Sequence, residues 1–389
     1  LTLKENKGIL DWKESNYSLE KALATVGSDE NRAKEREIAR KAVTVVKNEN
    51  NALPLNVTKK SKVLMLCPYT NEQSQMLMGW NRAKKAGLIP DGAEVKVQCF
   101  MNHDDLETVK ENIDWADTVI INSEIYGTYY TNYKHWLSAG PNNFTKYCKE
   151  NNKTSVIMSV DLPYDVQLYP YADAILAVYG DIGSSVDPTE AIVGGTTTSK
   201  EAYGPNIIAG VEVALGTFGA TGTLPVNVTK YDADSNSYTD EIVYKRGHGI
   251  TYDAKTINRD ELENKVAELE KLEKGNYTDA SWSVFEIALN DAKEVLSKVS
   301  SQEDIDEALA TLNKAYEALT ENKKEEPTNP SDKKDESTNK KDETVKTETK
   351  KNTQKSKVKT GDNTAITAFA VMMFISGCVF VLARRKRND

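Results

Sequence analysis

Five short runs of β-branched and apolar residues mark the middle of the chain: Val63–Cys67, Val95–Phe100, Thr118–Asn122, Ser155–Val160 and Ala174–Tyr179. Each run is nearly continuous in apolar residues, the pattern of a strand buried on both faces. Helical or loop stretches separate them. Residues 41–253 are therefore expected to form an α/β sandwich, a mostly parallel sheet with helices on both sides.

From residue 255 to 321 the period changes to that of helices. Leu262, Val266, Leu269 and Leu272 share one face; so do Trp282, Phe285, Leu289, Ala292 and Leu296, and again Ile305, Leu309, Leu312, Tyr316 and Leu319. Start signals precede each face: Asn258 with Glu261, Thr278, and Ser300 with Glu303. The spacing predicts a three-helix bundle, with Trp282 and Phe285 in its core. Residues 322–360 lack aromatic side chains and carry Val345 and Val358 as their only sizeable apolar groups. Such a stretch reads as a disordered charged spacer. The final pattern is Ala365–Ala383, 19 residues without a charge. That length suits a transmembrane helix, and the basic cluster Arg384–Arg387 that follows places the rest of the chain outside the cell. Residues 1–30 show no apolar export segment, so an export signal is expected upstream of Leu1.

Charge and composition remove several functions. Across 389 residues, 50 Lys and Arg face 59 Asp and Glu, a net charge of −9. A protein that lives on phosphate contacts would show a basic excess, so nucleic acid is not an expected partner. The four Cys and three His include no pair at zinc-ligand spacing, and no metal or other cofactor is expected. Cys67 and Cys99 on strands and Cys148 in a helical stretch read as reduced core thiols. Gly216, Gly219 and Gly222 have the wrong spacing and setting for a nucleotide phosphate loop. Ser184 lies outside any nucleophile elbow.

Ligands of parallel sheets bind at the carboxyl ends of the strands. The loops to watch begin at Pro68, Asn122, Asp161 and Gly180, and the acids near them are Glu124, Asp161, Asp165 and Asp181. An aromatic segment with Tyr126, Tyr129, Tyr130, Tyr133 and Trp136 follows Glu124. Its rings can platform a sugar or pack against a neighbouring domain. Glu124, Tyr126 and Asp161 are the candidate substrate-binding residues, and no residue of this chain is expected to be catalytic.

Three resemblances extend this reading. Thr360-Gly361, followed by the apolar stretch and basic tail, resembles the sorting signal of Gram-positive surface proteins, although Lys357-Val358 stand where that signal has Leu-Pro. The resemblance implies a chain cut between Thr360 and Gly361 by a sortase and joined to peptidoglycan. Residues 255–321 resemble the FIVAR module of bacterial surface proteins, a spacer or weak adhesion unit. Ala42–Leu55 at one flank, and Gly222–Asn227 with Arg246–Tyr252 at the other, resemble the boundaries of the second domain of glycoside hydrolase family 3. Ser159–Asp165 and Ala174–Gly180 fall where that family has a strand, a Pro-Tyr-Asp loop and a strand. Val26–Ala42 and the Pro-Tyr-Asp loop look most like its β-N-acetylglucosaminidase branch, and Leu1–Gly8 looks like the last helix of a preceding barrel. Residues 1–40 are then the end of that barrel and a linker, and residues 361–389 the sorting signal.

What the family resemblance implies is a surface-anchored retaining glycosidase acting on a glycan, in two branches. In the N-acetylglucosaminidase branch the nucleophile and a His–Asp acid/base stand on the barrel. In the β-glucosidase branch a Glu of the sandwich serves as acid/base, for which Glu124 is the candidate. A non-catalytic adhesion module with the same domains is the alternative outside enzymes.

Overall fold

Six strands build the central sheet: β1 (Thr44–Asn48), β2 (Lys62–Cys67), β3 (Glu94–Cys99), β4 (Thr118–Ile125), β5 (Thr154–Asp161) and β6 (Ala174–Ala177). Their order is β1-β6-β5-β4-β2-β3. β2 to β6 run parallel and β1 lies antiparallel on β6. The computed structural model describes residues 1–10, 13, 18–180 and 204–323, all within the unit Leu1–Lys324. The fold is α/β with a mostly parallel sheet, as the apolar runs predict.

Parallel strands need helical crossovers, and these cover both faces. α1 (Thr2–Asn6), α2 (Leu19–Thr25) and α3 (Asp29–Ala42) precede the sheet; α4 (Glu72–Lys85), α5 (Glu107–Trp115), α6 (Trp136–Glu150) and α7 (Asn206–Leu215) cover it. On one face Met65, Ile120, Met158 and Leu176 pack with Met76 and Trp80 of α4 and with Val211 of α7. On the other, Leu66, Ile121 and Ile157 pack with Ile113 of α5 and Phe144 of α6. α4 and α7 cross closely because Gly79 has no side chain; a Cβ there would stand 2.6 Å from that of Val211. Arg40 of α3 reaches the buried Glu212 of α7 with two hydrogen bonds of 2.9 and 2.8 Å, and its guanidinium covers the Phe218 ring. Much of α1–α3 nevertheless turns apolar groups outward, including Leu3, Leu19, Leu23 and Ile38.

Two elements escape the apolar-run reading. β1 hides within Ala42–Leu55, and the hairpin β7 (Val228–Asp232) with β8 (Ser237–Tyr244) is mostly polar and exposed. The hairpin packs Val228 and Tyr231 of β7, with Tyr238 and Tyr244 of β8, onto the second face.

α8 (Asp260–Leu269), α9 (Asp279–Ser297) and α10 (Gln302–Glu317) form the three-helix bundle around Leu262, Phe285, Leu289, Ile305 and Leu312. Thr278 caps α9 by accepting from the Ser281 amide. The other two starts fall one residue later than the sequence suggests. α10 is capped by a Ser301–Asp304 box in place of Ser300–Glu303, which leaves Glu303 free to accept a 2.8 Å bond from the Lys59 amide. α8 has Arg259 at its cap position, and Asn258 instead accepts from the Asp260 amide. The bundle is seated on the sandwich: the Lys59 ammonium bonds Asp304 at 3.0 Å and Glu307 at 2.5 Å. The charged spacer beyond Lys323, Thr360, Gly361 and the apolar run 365–383 lie outside the described residues. Among those described, no helix is long and apolar enough to cross a membrane.

The two flanks of the sandwich meet in space. Val45 and Ile250 form a β-bridge, with the Ile250 amide donating to the Val45 carbonyl at 2.8 Å. His248 Nε2 lies 2.9 Å from the Val46 carbonyl oxygen, and Ala220 and Tyr252 form a second bridge. A Cβ on Gly222 would collide with the carbonyl oxygens of Ala42 and Val43, and one on Gly249 with that of Gly222. Three backbone segments therefore close on one another with no room for a side chain. Gly222→Ala is expected to lower unfolding stability by roughly 3 kcal/mol, read as a fall in thermal midpoint, whereas Gly247→Ala, facing open space but at positive φ, should cost about 1 kcal/mol.

Candidate functional site

The sheet grows outward from β2 in opposite directions, to β3 on one side and to β4 on the other. At such a divergence the crossovers leave the strand ends on opposite faces, and a crevice opens at the carboxyl edge. Two acids stand there. α4 begins at Glu72, just after β2, and Glu124 is the second-last residue of β4. Glu124 is thus a strand residue, not part of a loop opening at Asn122. β4 runs on because its last residue, Ile125, still pairs with Asp161 at the end of β5.

Glu72 and Glu124 are each 1% exposed. Asn122 Nδ2 donates to Glu72 Oε2 at 2.6 Å, and the Glu124 carboxyl acts on Glu72 at close range. Burial pushes the Glu72 carboxyl up to about 7, against the opposing pull of the Asn122 hydrogen bond and of Glu124.

Above this pair lies an aromatic wall. The Tyr69, Tyr126 and Tyr130 hydroxyls act on one another at close range. The rings of Tyr126 and Tyr130 lie 4.4 Å apart, and Tyr130 meets His135 at 4.6 Å. Trp136 packs edge-on against Tyr69 and Phe100, so it belongs to the core. His135 starts α6, its Nδ1 accepting from the Leu137 amide at 3.3 Å, and burial lowers its pKa. Tyr126 and Tyr129 remain 42% and 70% exposed, so two rings of the aromatic segment are open to a ligand or a covering domain.

A second polar cluster occupies the opposite face, since side chains alternate along a strand. Asp165, on the short 3-10 turn Pro163–Gln167, accepts from Ser123 Oγ at 2.5 Å and from Ser159 Oγ. Ser123 also bonds the Tyr169 hydroxyl. Complete burial pushes the Asp165 carboxyl up to about 7. Beside it a cleft of about 360 Å³ is bounded by Ile125, Thr128, Leu162, Tyr164, Thr229 and Tyr238. Asp161 and Tyr179 hold positive φ angles of 75° and 53°. Strained backbone at two neighbouring strand ends is a feature of functional edges.

The structure therefore gathers Glu124, Tyr126 and Asp161 at one carboxyl edge, with Tyr126 and Asp161 toward solvent and Glu124 beneath. Asp181 and Ser184 lie outside the described residues. Glu72 and its hydrogen bond from Asn122 are not legible in the sequence, because an acid in the first turn of a helix looks like an ordinary solvated dipole partner. Among the described residues no three His, Cys, Asp or Glu side chains converge as metal ligands.

No protein-family model matches the sequence, and no curated protein matches it. Among solved structures, the chain is similar to a β-glucosidase from Chaetomella raphigera, with 14% identity over 58% of this chain and 37% of that one and a TM-score of 0.38. It is also similar to a Listeria innocua β-glucosidase bound to gluconolactone, with 17% identity, 64% and 37% coverage and a TM-score of 0.38. A glycoside hydrolase family 3 β-N-acetylglucosaminidase from a Paenibacillus species shows 14% identity, 57% and 36% coverage and a TM-score of 0.36. The chain spans little more than a third of the length of these enzymes. Likeness at this level says nothing of substrate or mechanism.

The Glu72 carboxyl sets a pH test. Its folded pKa of about 7 lies above the ordinary 4.5, so the native state gains relative stability as pH falls through 7 and levels off below 4.5. Glu72→Gln should therefore stabilise the protein at pH 8 by roughly 2 kcal/mol and make little difference at pH 4.5. Urea unfolding at the two pH values checks this, and an equal effect at both would contradict a Glu72 carboxyl raised by burial.

Proposed function

We propose that this chain is the C-terminal part of a surface-anchored retaining glycosidase of glycoside hydrolase family 3, acting on β-N-acetylglucosaminides. The observation that carries this reading is the junction of the flanks. Ala42–Leu55 at the entry, and Gly222–Asn227 with Arg246–Tyr252 at the exit, resemble that family's domain boundaries. In the fold they pack backbone to backbone through Gly222 and Gly249. Motifs that meet in this way read as one structural signature, whose glycines are required by the close approach.

In such an enzyme a carboxylate attacks the anomeric carbon, and a second group first protonates the leaving oxygen and then activates water. In the N-acetylglucosaminidase branch both stand on the barrel. The sandwich contributes one wall of the cleft, where Tyr126 and Tyr129 offer open ring faces and Asp161 a carboxylate. Glu124, buried against Glu72, acts through the wall it supports. The outward apolar groups of α1–α3 fit a covering barrel. Surface anchoring through Thr360, Gly361 and the apolar run 365–383, with a sortase and peptidoglycan as partners, remains part of the same proposal. A β-glucosidase is the alternative branch, and a barrel-less adhesion module the alternative outside enzymes.

The reading predicts that residues 1–389 alone hydrolyse neither 4-nitrophenyl N-acetyl-β-glucosaminide nor 4-nitrophenyl β-glucoside. The same chain expressed with its upstream coding region should hydrolyse the first in preference. Full turnover by residues 1–389 would refute the division of labour. An inactive extended chain with no barrel upstream would favour the adhesion module.

A further inference from the structure

Cys67 and Cys99 are register partners at the ends of β2 and β3, so their side chains rise from the same face of the sheet. Both lie against the apolar layer under α4. Adjacent strands stand about 4.8 Å apart, inside the ~4.4–6.8 Å between Cα atoms that a disulfide spans. Both are free thiols, and Cys67 Sγ donates toward the Gln98 carbonyl oxygen at 3.8 Å. Cys67 is buried while Cys99 is only partly so. Cys99 Sγ lies 3.3 Å from the Pro68 carbonyl oxygen, and it receives a hydrogen bond from the Met101 amide, with His103 nearby.

We propose that Cys67 and Cys99 are a redox-active pair oxidised by a low-molecular-weight disulfide, with Cys99 as the attacking thiol and Cys67 as the resolving one. The Cys99 thiolate attacks one sulfur of the small disulfide; a new S–S bond forms, and one small thiolate leaves. Cys67 loses its proton to that thiolate and attacks Cys99 Sγ. The 67–99 bond forms and the second small thiol departs. Two protein thiols are oxidised and one small disulfide is reduced to two thiols, which closes the electron and proton balance.

The microenvironments suit the two roles. The neighbouring Cys67 thiol and Met101 amide pull the Cys99 thiol below the ordinary range. The Cys67 thiol is pushed well up by Cys99, by burial and by the negative charge of Glu72 and Glu124. Oxidation also removes the sulfur contact to the Pro68 carbonyl, at the head of the turn that carries Tyr69 and Glu72. The pair is thereby wired to the crevice. Cys148 is an internal control, since burial pushes it up to about 12.

The test uses the full chain carrying Cys378→Ser, incubated with oxidised glutathione at pH 7, quenched with iodoacetamide and mapped by mass spectrometry. An intramolecular 67–99 cross-link, reversed by dithiothreitol, with Cys148 still reduced is expected. Cys67→Ala should instead leave a stable glutathione adduct on Cys99, and Cys99 should alkylate at least ~10-fold faster than Cys148. An unmodified Cys99, a lasting glutathione adduct in the chain that keeps Cys67, or equal labelling of Cys148 would overturn the proposal. Circular dichroism checks the folding of Cys67→Ala; if that variant does not fold, the choice between cross-link and adduct in the chain with both cysteines still decides.

Discussion

A parallel sheet cannot leave either face to water, and that constraint organises this chain. Its crossovers must be helical, so α4 and α7 cover one face and α5 and α6 the other. The helices approach closely only where side chains are absent, as at Gly79 and at Gly210, which sits against Val178 and Met158. What helices cannot cover is the carboxyl edge, where each chain segment turns out of the sheet. At β2 the sheet grows in both directions, so the edge opens between β2 and β4. The chemistry of the molecule collects there for a topological reason before any question of ligand arises.

The edge is built from polar groups withdrawn from water, an expensive arrangement unless each finds a partner. Strand alternation sorts them into two clusters. Asn122 and Glu124 point to the α4 face and meet Glu72; Ser123 and Ser159 point to the other and meet Asp165 and Tyr169. Burial of a lone carboxylate is relieved by holding a proton, and both Glu72 and Asp165 are pushed up to about 7. Networks of this kind fix the strand ends in one arrangement. The positive φ angles of Asp161 and Tyr179 persist because the surrounding packing over-determines them. Solvent then meets a wall of tyrosines whose positions are set from below.

Much of this architecture is legible in the sequence because it follows from hydrophobic period. Five of the six sheet strands and all three bundle helices announce themselves by apolar spacing. The hairpin does not, because its anchors are Val228 and three tyrosines, Tyr231, Tyr238 and Tyr244, set among polar residues that mostly face water. Helix caps drift by one residue where two adjacent residues can both cap: Ser300 and Ser301 are chemically equal, and tertiary contact with Lys59 decides for Ser301. The candidate site is half legible. Glu124, Tyr126 and Asp161 follow from their place after strands. Glu72 does not, because its partner is 52 positions away and only the sheet order brings them together.

Long-range pairing also explains how the flanking segments are held. Arg40 and Glu212 are 172 positions apart, yet their paired hydrogen bonds tie α3 to α7, with Arg82 as a second cation 3.6 Å from the same carboxylate. A buried pair contributes little net stability, because desolvating both charges offsets their attraction. Its effect is geometric: a guanidinium fork accepts one orientation of the carboxylate. α3 is therefore fixed in direction as it enters the sheet, while its neighbours α1 and α2 keep their apolar side chains outward. The glycine junction of Ala42, Gly222 and Gly249 lies at the C-terminal end of that same helix. Fork and junction together hold the path into the sandwich rigid at its last turn, which is what a domain needs if it is to present one edge to a partner in a single orientation.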